Sequence, residues 1–395
     1  MKKRFIWIVA ILILAGLYYF STTKTSDKNT AGSDGVKVEL DGPVKLGGLL
    51  PLSGDAISYG TPIQRATIMA LDEINASGGI AGEEVEIVWE DGKCEPKESS
   101  SAVQKLISID GVKYILGGAC SSEVLAGAEL AEENQVIILS PSATSPDISD
   151  AGQYVFRTAP SDALQGRVAA EYAFNTLGLT SAAVISENTD YAQALREVFK
   201  SSFTKLGGKI VADETYESSV VDFTSQVLKI KNAKPDVIYM IPQTDAPGSQ
   251  IVKQLKENNV EAQFMGGEIF SGRDLLENNA ALLEGLIATE PFFDDTSEKA
   301  AAFLAKYEEL YGEKAPFPYF MAAAYENVFI LKDTIEANGL NTESAKDWII
   351  ENIQSRDSII GTISFDKNGD VSGSYNIFEV KSGKAETLEV YTPNN

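Results

Sequence analysis

The sequence predicts an α/β fold built from two doubly wound lobes, each with a parallel sheet covered by helices. Short apolar runs alternate with amphipathic stretches of helix length over residues 44–289. This alternation occurs twice in a chain of 395 residues, which is too long for one small sheet. Strands separated by helix-length segments are joined by βαβ crossovers, and such crossovers produce parallel sheets.

The first half of the pattern predicts four strands and three helices. The predicted strands are 44–50, 85–89, 112–116 and 136–139, and the predicted helices are 61–75, 99–109 and 123–134. Apolar side chains recur at helical spacing in the first of these helices, and Gly78 and Gly79 end it. Gly117 and Gly118 close the third strand in the same way.

The second half repeats the pattern and then changes character. Its predicted strands are 182–185, 237–241, 263–266 and 286–289, and its predicted helices are 165–177, 191–206, 222–233, 248–258, 297–311 and 320–338. Trp348 lies in a further short helix, and polar turns separate three tail strands at 362–365, 374–380 and 387–391.

Composition excludes several classes of protein. The formal net charge is −24, and no dense run of Lys and Arg follows the N-terminus. Nucleic-acid binding needs clustered basic residues to neutralise phosphates, so the composition argues against a nucleic-acid-binding protein. The chain contains no histidine, which removes histidine-dependent catalytic triads and HExxH zinc sites. We therefore expect no catalytic residues, no metal site and no cofactor.

The N-terminus has the pattern of an export signal. Lys2, Lys3 and Arg4 precede an apolar run over residues 5–20, which fits either a cleaved signal peptide or an uncleaved membrane anchor. We favour the anchor because no clear Ala-x-Ala cleavage site follows and Leu17 stands where a lipoprotein would carry its cysteine. Residues 21–35 are polar and predict a flexible linker, so the folded part is expected outside the cytoplasm, tethered to the membrane.

The chain has two cysteines, Cys94 and Cys120. An exported protein with an even number of cysteines favours a disulfide, although two separate buried thiols would give the same count. Two cysteines without a histidine do not make a metal site.

Two loops rich in small hydroxyl residues follow neighbouring predicted strands. The first is 117–122, which leads into a helix, and the second is 140–146. Helix N-termini offer free N–H groups and a partial positive charge, so the two loops could cradle a carboxylate. Either loop by itself is equally typical of ordinary helix capping.

Other candidates follow strand ends, where doubly wound sheets bind ligands. Glu268 could neutralise an ammonium group, and Tyr59, Tyr191 and Phe320 could form apolar walls, although each has the alternative of a solvated loop residue or a core aromatic. The segment 366–370 resembles the start of a calcium loop, but Val371 stands where an EF-hand needs glycine, so we predict a β-turn.

Several long segments together resemble the leucine/isoleucine/valine-binding protein family, the type I periplasmic binding proteins of ABC importers. The resemblance covers residues 44–391. It is carried by segments 50–55 (Leu-Pro-Leu-Ser-Gly-Asp), 73–80, 90–97, 117–144, 154–162 and 165–166. It implies two lobes joined by three crossovers, near residues 162, 291 and 372. The implied division is 36–162 plus 292–372 for lobe 1, and 163–291 plus 373–395 for lobe 2.

The resemblance also implies roles for single residues. The carboxylate of an amino acid would be held by Ser121 and Thr144, and its ammonium group by the Ser142 carbonyl and by Glu268. The family's aromatic contacts correspond to Tyr59, Tyr191 and Phe320, and its disulfide pair to Cys94 and Cys120.

One position departs from the family pattern. Members that bind branched side chains can have an aromatic residue where this chain aligns Thr244, beside Asp245, which leaves room for a more polar ligand. The resemblance implies a protein that is not an enzyme and that delivers an amino acid, branched-chain or similar, to ABC permease and ATPase subunits. A membrane-tethered sensor for amino acids or small amides is the alternative function, and an enzyme acting in the cleft is a third.

Overall fold

A computed structural model describes Leu40 and residues 42–393, and it confirms the α/β fold. The predicted signal or anchor at 1–20 and the linker at 21–35 lie outside the described residues. The strands are β1 (Val44–Leu50), β2 (Val85–Asp91), β3 (Tyr114–Gly117), β4 (Ile137–Ser140), β5 (Val155–Arg157), β6 (Ser181–Glu187), β7 (Lys209–Tyr216), β8 (Val237–Ile241), β9 (Gln263–Gly266), β10 (Ile287–Pro291), β11 (Arg356–Ser358), β12 (Gly361–Ile363), β13 (Tyr375–Lys381) and β14 (Lys384–Tyr391).

Helices cover the strands on both sides. They are α1 (Ile57–Ala76), α2 (Pro96–Ser108), α3 (Ser121–Asn134), α4 (Asp162–Glu171), α5 (Asp190–Lys205), α6 (Thr224–Ala233), α7 (Asp245–Glu257), α8 (Arg273–Asn278), α9 (Ala280–Leu283), α10 (Glu298–Tyr311), α11 (Pro318–Asn338) and α12 (Thr342–Asn352). Short 3₁₀ turns occupy Pro146–Asp150 and Glu268–Ser271, and a π-helical turn, Tyr172–Thr176, extends α4.

Two sheets organise the described residues, and both have the same winding. The first has the order β2-β1-β3-β4-β5, and all its strands are parallel. The second has the order β14-β13-β10-β9-β8-β6-β7. In each sheet the chain starts at an inner strand and adds the next strand on one side of it. The strands that follow are then added on the other side. The reversal lies between β1 and β3 in the first sheet and between β6 and β8 in the second, and ligands of doubly wound folds bind at such points.

The second sheet combines the predicted parallel strands with an antiparallel edge formed by the tail strands. Strands β6 to β10 are parallel, but β13 pairs antiparallel with β10, and β14 pairs antiparallel with β13. The antiparallel arrangement follows from chain length, because β13 and β14 are joined by a two-residue turn that leaves no room for a crossover helix.

The long helix α11 is buried on most of its faces and packs against α1 and β3. Its residues contribute to the core of the first sheet through Val328 and Leu331, and to a second core through Phe320 and Ala323. Arg356 in β11 pairs with Glu326 and Asp333 on this helix. Helix α11 is therefore held in place along its length, and this packing positions Phe320 near its start.

The predicted turn at 366–370 is confirmed. The Asp366 carboxylate accepts hydrogen bonds from the backbone N–H groups of Asn368, at 2.8 Å, and Asp370, at 3.1 Å. Phe365 and Val371 pair across the turn. None of the helices within residues 42–393 combines the length and the apolar composition needed to cross a bilayer.

Candidate functional site

One cavity collects most of the residues singled out from the sequence. Its volume is small, about 20 Å³. Seven of the eight predicted ligand residues line it: Tyr59, Ser121, Ser142, Thr144, Tyr191, Glu268 and Phe320. Ser142 and Thr144 come from the loop after β4 and Glu268 from the 3₁₀ turn after β9, whereas the other four lie in the first turns of α1, α3, α5 and α11.

The first hydroxyl loop is fixed from behind by Glu123. This buried carboxylate accepts hydrogen bonds from the backbone N–H groups of Ala119, at 2.8 Å, and Cys120, at 3.1 Å. Ser121 is the first residue of α3, so the first-turn N–H groups have no carbonyl ahead of them within the helix. The partial positive charge at this helix end favours an anion beside Ser121.

The second hydroxyl loop is bonded directly to the first. The Ser140 hydroxyl donates to the Gly118 carbonyl at 2.7 Å, and the Ser142 hydroxyl donates to the Ala119 carbonyl at 2.9 Å. The backbone N–H of Ser145 donates to the Ser121 hydroxyl at 3.1 Å. These bonds hold the two loops in one arrangement, with Ser121 and Thr144 both on the cavity.

Arg157 secures the second loop from the core. The side chain is fully buried, and its Nη1 donates to the Ser145 carbonyl at 2.7 Å. Its Nε donates to Asp370 Oδ1 at 2.6 Å, which pairs the guanidinium with a carboxylate in the confirmed turn at 366–370. The charge of Arg157 is therefore engaged behind the loop, away from the cavity.

Glu268 lines the same cavity as the hydroxyl loops and follows β9 of the second sheet. It is buried, and its Oε2 accepts a hydrogen bond of 2.7 Å from Gln165 Nε2. The same amide nitrogen donates to the Thr289 carbonyl at 3.0 Å, so Gln165 joins Glu268 to β10. Burial raises the pKa of Glu268, although the Gln165 hydrogen bond opposes this. A ligand ammonium group would favour the ionised carboxylate.

Asp162 is a second buried acid, which the sequence analysis did not select. It is fully buried at the start of α4, and neither carboxylate oxygen has a well-aligned hydrogen-bond donor. Burial and the charge of Glu268 raise its pKa. In the sequence Asp162 follows Ser161, a residue typical of an N-cap, so it resembles an ordinary first-turn acid. Its spacing of three from Gln165 was the available signal, because that spacing places both side chains on one helix face.

Aromatic side chains form the remaining walls. Tyr59 stacks on Phe317 with ring centroids 4.0 Å apart, and Phe320 packs edge-on against Tyr319. The hydroxyl groups of Tyr59 and Tyr191 are buried and have no hydrogen-bond partner. These two rings therefore present polar atoms as well as apolar surface to the cavity.

Thr244 is the one predicted ligand residue outside this cavity. It is the N-cap of α7 and lines a wider cavity in the adjoining cleft, while its neighbour Gln243 lines both cavities. The sequence could not separate these neighbours, because a shift of one residue at a strand end changes which side chain faces the ligand.

The predicted cysteine pair is brought together beside the first loop. The Cα atoms of Cys94 and Cys120 lie 5.4 Å apart, a separation at which a disulfide can form. The Ser122 hydroxyl also donates to the Cys94 carbonyl, at 2.7 Å. The residues after β2 are therefore tied to the start of α3.

Comparison with known proteins gives a consistent result. A family model described as "Periplasmic binding protein" matches residues 43–385. The chain is 29% identical over 349 residues to the Leu/Ile/Val-binding protein homolog 3 of Brucella melitensis, covering 88% of this chain and 94% of that protein. It is 28% identical over 355 residues to the leucine-, isoleucine-, valine-, threonine-, and alanine-binding protein of Pseudomonas aeruginosa, covering 88% and 90%.

A solved structure extends the comparison to three dimensions. The substrate-binding protein LivJ of a branched-chain amino acid transporter from Streptococcus pneumoniae, in complex with isoleucine, superposes with a TM-score of 0.80. Its sequence identity is 29%, and the match covers 89% of this chain and 100% of LivJ. Both the sequence and the fold of residues 43–385 therefore agree with one family.

Proposed function

The chain belongs to the periplasmic binding protein family, and we propose that it captures an amino acid between its two sheets and delivers it to an ABC importer. The observation that carries this proposal is a single cavity lined by two hydroxyl loops that follow strands of the first sheet and by a buried acid that follows a strand of the second. Such a cavity complements both charges of an α-amino acid. The family consists of solute-binding proteins, so we propose binding without catalysis.

The anionic end of the ligand would lie at the hydroxyl loops. Ser121 and Thr144 provide hydroxyl groups, and the first turn of α3 adds N–H groups and a favourable dipole. The cationic end would lie at Glu268 and the Ser142 carbonyl. Hydrogen bonds to ionised groups in a site closed to water are the strong kind, and those at opposite ends would orient the ligand.

The relatives support the class of ligand. Their names specify leucine, isoleucine and valine, in one case with threonine and alanine, and LivJ was crystallised with isoleucine. For this chain we propose an α-amino acid, branched-chain or similar. The family would present it to permease and ATPase subunits.

The two sheets suggest how capture works. Strands β1 to β5 belong to one sheet, β6 to β10 to the other, and β13 and β14 return to the second sheet. This supports lobes of 36–162 plus 292–372 and of 163–291 plus 373–395. Ligand contacts with both lobes would stabilise a closed form that the permease recognises.

The location and the disulfide belong to the same proposal. The family name agrees with a place outside the cytoplasm, where Cys94 and Cys120 would form a disulfide. Tethering by residues 1–20 is proposed from the sequence pattern of that segment.

Isothermal titration calorimetry of the full chain with the common α-amino acids tests the proposal. We expect at least one to bind, and Glu268→Gln or Thr144→Ala to weaken that binding by about tenfold or more, which is about 1.4 kcal/mol. Glu257→Gln is the control, because Glu257 is an exposed acid at the end of α7 that lies outside both cavity linings. Unchanged affinity in both site variants, or no amino acid bound, would contradict the proposal.

A further inference from the structure

The inner cavity continues into the wider cavity of the cleft. Ala56 and Gln243 line both, so the two spaces meet between these residues. Once the α-carboxylate and α-ammonium groups occupy the hydroxyl loops and Glu268, the ligand side chain is the part that extends toward this junction. The groups at the junction therefore decide which side chain fits.

A polar atom without a partner lies in the inner cavity. The Tyr59 hydroxyl is buried and unpaired, and the stack on Phe317 fixes the ring that carries it. A buried polar atom without a partner costs free energy, and a ligand that bonds to it removes that cost.

Asp245 is an acid of the adjoining cavity and lies two residues after Gln243. One of its carboxylate oxygens, Oδ1, is buried without a hydrogen-bond partner, and the residue lines the cleft side of the junction. Its negative charge is close enough to raise the pKa of the Tyr59 phenol, after the larger effect of burial. Asp245 can therefore act on a group that lies between it and Tyr59.

Most of the charged residues that line the adjoining cavity are acidic. Its charged lining residues are Asp55, Lys93, Glu95, Glu187, Asp190 and Asp245. Lys93 is the single base in that lining, so the cavity offers hydrogen-bond acceptors and attracts donors and cations.

We propose that the ligand is an α-amino acid whose side chain ends in N–H donors, a carboxamide, amine or guanidinium, and is at least as long as that of glutamine. The proposal rests on the proposed function, because the α-groups must first occupy the loops and Glu268. An aliphatic branched side chain would leave the Tyr59 hydroxyl and Asp245 unpaired, whereas a donor-bearing chain would pair with both. The length follows from the position of Asp245, which lies beyond the inner cavity.

Calorimetric titration of the full chain with glutamine, lysine, arginine, leucine and methionine tests this inference. Methionine matches the length of glutamine and lacks its N–H donors. We expect glutamine, lysine or arginine to bind at least about tenfold more tightly than both leucine and methionine. Leucine or methionine binding as tightly as all three polar ligands would overturn the inference while leaving the proposed function intact. Binding of no amino acid would overturn both.

Two variants localise the preference. Asp245→Asn and Tyr59→Phe should each lower the ratio of polar to apolar affinity by about fivefold or more, because each removes one partner of the side chain. Tyr172→Phe and Asp72→Asn are matched controls, since neither residue lines either cavity. Equal ratios in the wild type and in both junction variants would contradict the role of Asp245 and Tyr59.

Discussion

The side-chain amide of Gln165 donates a hydrogen bond of 2.7 Å to the carboxylate of Glu268, across 103 positions of sequence. Gln165 belongs to α4, the first helix after the chain leaves the first sheet, and Glu268 follows β9 of the second sheet. The bond fixes the orientation of the acid that we propose for the ligand ammonium group. It also lowers the pKa of Glu268 against the effect of burial.

Gln165→Ala should therefore weaken ligand binding by about tenfold, since it removes a hydrogen bond to a charged group. Its pH profile should also change. Without the amide the pKa of Glu268 rises further, so affinity should begin to fall at a higher pH as the solution is acidified. Calorimetry between pH 5 and 8 measures both effects.

Gln263→Ala is the control for this change. Gln263 also makes two side-chain hydrogen bonds, to the carbonyls of Phe264, at 3.0 Å, and Gly285, at 2.9 Å, but lies outside both cavities. Its affinity and pH profile should match those of the wild type. A Gln165→Ala profile that is merely lower, with no shift along the pH axis, would count against the positioning role.

Gly267 is a second point at which the site should be sensitive. A Cβ atom there would lie 3.1 Å from Gln165 Nε2 and 3.1 Å from the Tyr191 hydroxyl oxygen. Gly267→Ala should displace these groups by a few tenths of an ångström and reduce affinity by about fivefold to tenfold, because small misplacements weaken charged hydrogen bonds.

Gly248→Ala provides a matched control, because its Cβ would lie equally close, 3.1 Å, to a Pro242 side-chain atom outside the inner cavity. We expect both alanine variants to melt near the wild-type temperature and only Gly267→Ala to bind ligand more weakly. Equal affinity in the two variants would argue against tight packing around Gln165 and Tyr191.

The buried pair of Arg157 and Asp370 predicts a large effect on stability. Asp370→Asn would leave the fully buried Arg157 charge without its carboxylate, which should cost about 3–5 kcal/mol of unfolding free energy. Glu313→Gln, which removes an exposed pair with Arg65, should cost less than about 1 kcal/mol. Urea denaturation of the two variants gives both values, and comparable losses would refute the buried pairing.

Glu123 predicts a pH dependence of stability. Burial raises the pKa of its carboxyl to about 7, above the ordinary value near 4.3 that applies in the unfolded chain. The folded state then binds the proton more tightly, so this contribution to stability is full below the ordinary value and is lost as the pH rises through about 7. Within that window each pH unit changes the free energy of unfolding by at most about 1.4 kcal/mol.

Urea denaturation at pH 5 and pH 8 measures this contribution. The loss of stability between the two values should be smaller in Glu123→Gln than in the wild type. Glu133→Gln, at an exposed position of the same helix, should behave as the wild type. The same loss in all three proteins would show that Glu123 does not titrate in this window.

Continuous apolar runs predicted the buried strands well. The bounds of β1, β8 and β9 agree with the prediction, because each is a short run of largely buried residues between turn residues. Strand β7 was missed because it lies at a sheet edge and alternates exposed with partly buried positions. Strand β5 was missed because three residues carry too little pattern.

Most helix starts were predicted too late for a physical reason. Helix α2 begins at Pro96 and α7 at Asp245, three residues before the predicted starts in each case. The first turn of a helix is stabilised by its N-terminal residues and the dipole, and it carries no apolar period. β13 and β14 were predicted as strands. Their antiparallel pairing could not be predicted, because it depends on which edge of the sheet is free.

The loops that line the cavity could be located from the sequence, but the hydrogen bonds that join them to the rest of the protein could not. Ser121, Thr144 and Glu268 follow strand ends, and strand ends meet at one edge of a sheet. Asp162 and Gln243 were missed, because their roles depend on burial and on a one-residue difference in direction. The sequence indicates Gln165 only as part of a family segment, because its hydrogen bond to Glu268 joins distant parts of the chain.

A crystal structure of the chain with its tightest amino acid ligand is the most direct test of the site. We expect the α-carboxylate within hydrogen-bond distance of the Ser121 and Thr144 hydroxyls, and the α-ammonium within the same distance of a Glu268 carboxylate oxygen. An amino acid bound elsewhere, or bound in this cavity with its charged ends reversed, would contradict the assignment.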